Sequence, residues 1–96
     1  MKGYWMILGT AVTDAEAQAE YGRLWAPIAA RYGAKVIREG GPQLAEARQD
    51  TTRMLLVEFA DLATAQACFN DSDYKAAAAL THKASSRDLV IFAGNL

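Results

Sequence analysis

His82 is the only histidine of this 96-residue chain and Cys68 its only cysteine. A histidine-based triad, a multi-histidine zinc site, a cysteine metal cluster and an intrachain disulfide are therefore out of reach. His82 alone could act as a general base or as an axial ligand to haem. Its position late in a helix has a plainer reason, since a cationic ring there meets the helix's terminal carbonyls. Haem is accordingly not expected, and neither is any other cofactor. Glu58 is an acid within an apolar run, TRMLLVEF. Desolvated, it would be in the setting where a carboxylate becomes a general base. Paired with Arg53 or Arg38, it would be structural. Proton transfer thus has two candidates, Glu58 and His82, and ligand contact has three: Trp5, Arg53 and Tyr74. Tyr74 opens a helical segment, where an aromatic ring packs and its hydroxyl can face a pocket. Arg53 could also, with Glu46, close a long loop onto a sheet. Trp5, Tyr21, Trp25 and Tyr32 line an apolar cavity or simply fill a core. Cys68, mid-helix and away from basic residues, is expected to be an inert buried thiol.

Other chemistries are missing from the sequence. No glycine-rich run precedes a Lys-Ser/Thr pair, and there is no Gly-x-Ser-x-Gly elbow. Ten basic residues face eleven acidic ones, a formal charge of −1, so there is no basic surplus to neutralise nucleic-acid phosphates. The apolar run Tyr4-Trp5-Met6-Ile7-Leu8 is far too short to span a bilayer, so no membrane role is expected, and a lone thiol suits a reducing compartment. The expectation is a cytoplasmic protein. With 52% hydrophobic residues, the chain can bury the core of one domain, residues 1–96, but not of two.

Positioning these side chains falls to a short series of elements. Residues 4–12 read as a strand. Thr13 and Glu16 fit a capping box, opening a helix with Tyr21, Leu24, Trp25, Ile28 and Tyr32 on one stripe. Pro27 removes a helical N–H and predicts a kink, and Gly33 suits the helix's end. Residues 34–39, charged, read as an edge strand. Gly40-Gly41-Pro42 breaks it, and a long connection over 42–51 leads to a third strand over 52–59. Asp61 caps a helix carrying Leu62, Ala65 and Phe69, interrupted at Asn70-Asp71-Ser72 and resumed to about Lys83. Residues 89–92 form a fourth strand ending at Gly94. The order β-α-β-β-α-β, with the second helix broken, is the α+β ferredoxin-like pattern: a four-stranded antiparallel sheet, helices on one face, first and third strands central.

A sheet wet on one side alternates apolar and polar residues, and these strands do not. Tyr4, Met6, Leu8 and Val12 oppose Trp5, Ile7 and Ala11. Leu55, Val57 and Phe59 oppose Met54, Leu56 and Glu58, and Leu89 and Ile91 oppose Val90 and Phe92. The helices cover one face only, leaving an apolar patch larger than monomers usually show. A two-fold homodimer would cover it.

Tyr4-Trp5, Tyr21, Pro27, Tyr32-Gly33, Gly40-Gly41-Pro42, Glu46, Arg53, Glu58-Phe59, Ser72 with Tyr74, and Gly94, in that order and spacing, resemble the family called domain of unknown function thirteen-thirty, of the dimeric α/β-barrel superfamily. The resemblance spans nearly the whole chain. It implies a dimer whose sheets pack into a barrel, and it implies no particular reaction, since relatives range from cofactor-free oxygenases to haem-degrading enzymes and lactone isomerases. The chain departs from the family at Cys68-Phe69, where Trp-Tyr is common, and at Thr81, where an arginine often follows Tyr74. Two functions are therefore expected to compete. One is binding or transformation of a small apolar organic molecule in a pocket. The other is a non-catalytic structural or interaction homodimer.

Overall fold

In the computed structural model, which describes residues 1–96, the order is β1 (Lys2–Gly9), α1 (Ala15–Tyr32), β2 (Lys35–Gly40), β3 (Arg53–Phe59), α2 (Leu62–Asn70), α3 (Ser72–Ala84) and β4 (Arg87–Gly94). All strand pairs are antiparallel and the sheet runs β2-β3-β1-β4. This is the α+β ferredoxin-like arrangement, with β1 and β3 central and the charged β2 at an edge. The molecule is 17 Å across its thin axis, the depth of one helix layer on one sheet.

Trp5 pairs in register with Val57 and Ile91, and Ile7 with Leu55 and Leu89. Side chains alternate along a strand, so these residues share one face, and with Phe59 they meet Ile28, Ala65, Cys68, Tyr74 and Ala77 of the helices in one core. Trp5 is its centre. Its indole N–H donates to Ala65 O at 2.9 Å, and the rings of Tyr74, Phe59 and Trp25 lie 4.9, 5.0 and 5.6 Å away. A fully buried indole needs such a partner.

The other face carries Tyr4, Met6, Leu8, Met54, Leu56, Val90 and Phe92 across three strands. Part of it is covered from within the chain. Phe92 stacks on Tyr4 at 5.2 Å, the Leu96 N–H donates to the Tyr4 hydroxyl, and Tyr4 and Leu56 are both buried. Val90 is 57% exposed. No helix covers this face.

Strand ends and the first helix cap are corrected, while the close of α1 at Gly33 is as expected. The first strand ends at Gly9, not Val12, because Thr10 leaves β1 to exchange hydrogen bonds with Ser86. The helix cap is Asp14, whose carboxylate accepts from Ala17 N at 3.0 Å. Thr13 instead ties the chain to α3 by donating to Ala84 O. Helix α1 runs through Pro27 as one element. Pro27 is exposed, so water can satisfy the carbonyl that loses its helical donor. The helix closes at Gly33, which adopts φ 63° and ψ 29°, the left-handed conformation glycine takes without strain. β4 begins at Arg87, two residues before the expected Leu89.

Candidate ligand-binding cleft

A cleft of about 600 Å³ opens between α1 and one end of the sheet. Its apolar walls are Trp5, Ile7, Leu55 and Val57 from the strands and Tyr21 and Trp25 from the helix. The last two stack at 6.4 Å with nearly parallel rings. Volume and lining are those of a small-molecule site.

The polar groups gather at the end where β1 finishes. Gly9 pairs with Arg53 on one side and Arg87 on the other, so both arginines rise from the helix-facing side of the sheet, flanking a residue with no side chain. The Arg53 guanidinium lies over Gly9, donating from Nε to Thr10 O at 2.8 Å and from Nη2 to Ser85 Oγ at 2.9 Å. A Cβ on Gly9 would stand 2.8 Å from Arg53 Nη2. Arg87 donates to the Tyr74 hydroxyl, and its guanidinium carbon sits 5.5 Å from the Tyr21 ring centre. Burial pushes the Tyr74 phenol well above its ordinary range, so it stays protonated and neutral.

The ion pairs of the protein lie elsewhere. Arg23 pairs with Glu20, and Arg31 with Asp71 and Asp73. Glu39 lines the cleft on the β2 side but is exposed and forms no ion pair with either arginine.

Of the residues singled out from sequence, Trp5 and Arg53 line the cleft, and Tyr74 lies beneath it, joined to it through Arg87. Glu58 and His82 are not there. Glu58 is half-buried on the opposite sheet face, in register with Tyr4 and Lys35. The pairing with Arg53 or Arg38 does not form: Arg53 points to the other side of the sheet, and Arg38 donates to its neighbour's carbonyl, Ile37 O. His82 is exposed and borders a separate hollow with Phe69 and Lys75. Arg53 does not close the long loop, because both its side-chain bonds go to Thr10 and Ser85. Glu46 is exposed. Cys68 is buried in the core, and desolvation pushes its thiol up to about 12, which makes it unreactive at neutral pH.

Arg87, Gly9 and Ser85, which make up the polar end of the cleft with Arg53, are among the lining residues that the sequence does not single out, as are Gln18, Gly22 and Glu39. The signal for Arg87 lies in the alternation Arg87, Leu89, Ile91, which repeats that of Arg53, Leu55, Val57. In both strands the inward-facing series begins with arginine.

Sheet order, helix placement and cleft define a ferredoxin-like α+β protein with a ligand-sized hollow under its first helix. By sequence the chain belongs to the family Domain of unknown function (DUF1330), whose model matches residues 2–95. Among solved structures it is similar to RPA0582, a protein of unknown function from Rhodopseudomonas palustris, with TM-score 0.72 and 20% identity over 99% of this chain and 83% of that one. A dimeric ferredoxin-like protein of unknown function from Jannaschia sp. CCS1 gives TM-score 0.71 and 14% identity, covering 98% and 100%. SnoaB, a cofactor-independent oxygenase from Streptomyces nogalater, gives 0.60 and 16%, covering 99% and 94%. At these identities the likeness is one of fold. No curated protein matches the chain in sequence. No helix is long and apolar enough to cross a membrane.

Proposed function

We infer that the chain binds a small, largely apolar organic molecule in the cleft under α1, and that it does so as a homodimer joined through the open face of the sheet. The observation that carries this reading is the cleft itself: about 600 Å³ walled by stacked aromatic rings, with donors gathered at one end. Donors gather at one end of its lining, Glu58 and His82 lie outside it, and its one carboxylate, Glu39, is exposed, so the reading is one of binding. The dimeric state described for the Jannaschia protein supports the second half of the reading, as does the uncovered apolar face.

Gly22 provides the test. It lines the cleft from α1, and a Cβ there would meet nothing within 4 Å. Gly22→Leu should project a side chain into the hollow from a Cβ that meets no neighbour, and in mid-helix it should stabilise the protein by about 1 kcal/mol. The neutral aromatic probe 2-naphthamide, titrated into wild type, should shift the indole N–H signals of Trp5 and Trp25 to saturation. In Gly22→Leu the shifts should vanish while the melting midpoint holds or rises. Equal binding by both proteins would remove the cleft as the site.

A further inference from the structure

Resting on that reading, we propose that the cleft selects a carboxylic acid: an aromatic or cyclic body lies against Tyr21, Trp25 and Leu55, and its carboxylate is held between Arg53 and Arg87.

Charge and geometry carry the proposal. Two guanidinium groups stand on β3 and β4, the strands that flank β1, on the same sheet face and on either side of Gly9, and both line the hollow. Half-buried like charges in one cleft favour a bound counter-ion, and no carboxylate of the protein pairs with either group: the ion pairs involve Arg23 and Arg31, and Glu39, which also lines the cleft, is exposed and forms none with them. Nor are the donors used up. Arg53 spends two N–H groups on Thr10 O and Ser85 Oγ and Arg87 spends one on Tyr74, leaving each planar fork with further N–H groups and no protein acceptor.

Both forks are already oriented. Thr10 and Ser85 hold Arg53 over the gap that Gly9 leaves, while Tyr74 and the Tyr21 ring hold Arg87. A guanidinium fixed in this way loses little freedom when it closes two parallel bonds on a carboxylate. The remaining walls are aromatic and aliphatic, so affinity for the rest of the ligand comes from burying hydrocarbon. This combination favours an acid with a ring over inorganic phosphate, which would leave those walls unfilled.

Two probes of the same shape decide it: 2-naphthoate, which is an anion at neutral pH, and its amide, 2-naphthamide. Calorimetry with wild-type protein should show one naphthoate per chain, bound at least about tenfold more tightly than the amide, as expected for charge-assisted bonds. That preference should shrink as salt is raised. Arg87→Gln and Arg53→Gln, each checked for folding by circular dichroism, should lose the preference and bind acid and amide about equally. Equal affinities for acid and amide in wild type would overturn the acid proposal and leave the cleft reading standing. Binding of neither probe would sink both. Displacement of naphthoate by inorganic phosphate at similar concentration would assign the arginines to a phosphate group and refute the carboxylic acid. The wild-type comparison needs no variant, so a misfolded substitution leaves the test intact.

Discussion

Gly3 and Gly9 sit on the same face of β1 for different physical reasons. A Cβ on Gly3 would stand 2.2 Å from Asp61 O and 2.8 Å from Leu62 Cα, backbone atoms at the start of α2 that cannot move alone. A Cβ on Gly9 meets the tip of the flexible Arg53 side chain at 2.8 Å. Gly3→Ala should therefore push α2 off the sheet and cost at least ~1–3 kcal/mol, the scale of overpacking a core, or a fall of about 4–8 °C in melting midpoint for each kcal/mol in a domain of this size. Gly9→Ala should melt close to wild type yet weaken naphthoate binding, because the displaced guanidinium leaves its place over the strand. Scanning calorimetry reads the first effect and titration of the probe the second. At this scale the site was only partly legible. Arg53 and Trp5 draw notice as a charge and a large ring within apolar strands. Glu58 draws notice as an acid within an apolar strand and His82 as the only histidine, and neither feature tells whether a residue borders a cavity. Arg87 was hidden because the strand seemed to begin at Leu89, and moving that boundary back to Arg87 places it on the inward face.

The elements themselves were legible from periodicity and caps, and the misreadings cluster where two neighbouring residues could serve one purpose. Thr13 and Asp14 can both cap α1. Asp14 does so because Thr13 is engaged by Ala84 O across the fold, a partner that local sequence cannot reveal. The break between α2 and α3 was visible as Asn70-Asp71-Ser72, but not the amount of structure that meets there. Asp71 donates its backbone N–H to Cys68 O at the end of α2 and accepts from Asp73 N and Tyr74 N at the start of α3. It also takes the Tyr32 hydroxyl and Arg31 from the end of α1. The Tyr32 hydroxyl bond, seconded by the two backbone N–H groups and Arg31, holds its carboxyl below the ordinary range. A group whose pKa is depressed in the folded state stabilises that state above the unfolded pKa, about 3.9 for aspartate, and the contribution is lost as pH falls through the lower folded value. Asp71→Asn should thus be less stable than wild type at pH 7. The gap should narrow as pH falls below about 3.9, the unfolded value, because wild type then progressively loses the same contribution. Urea melts of both proteins at pH 7 and pH 3 measure it, and a gap that is constant with pH would show that the carboxylate's charge plays no part in the junction.

At the scale of the whole molecule, the sheet has one face under helices and another that no helix covers. That second face was legible from strands apolar on both sides, whereas its partial self-coverage was not. It depends on Phe92 lying over Tyr4 and on the C-terminal Leu96 reaching back to the Tyr4 hydroxyl, contacts between distant parts of the chain. The coverage changes how a dimer should be tested. Leu56 is only 5% exposed within a single chain, so Leu56→Glu would bury an unpaired charge and unfold the protein whether or not it dimerises. Val90 is 57% exposed on the same face, where a carboxylate stays hydrated in the isolated chain and becomes costly only when a second copy covers it. Wild type at micromolar concentration should sediment at twice 10.4 kDa. Val90→Glu should sediment as a folded species of single mass, with an unchanged circular dichroism spectrum and a melting midpoint that no longer rises with protein concentration, as the midpoint of a dissociating dimer does. A wild-type monomer at that concentration would refute the dimer outright, and a Val90→Glu protein that stays dimeric would move the interface away from this edge of the sheet.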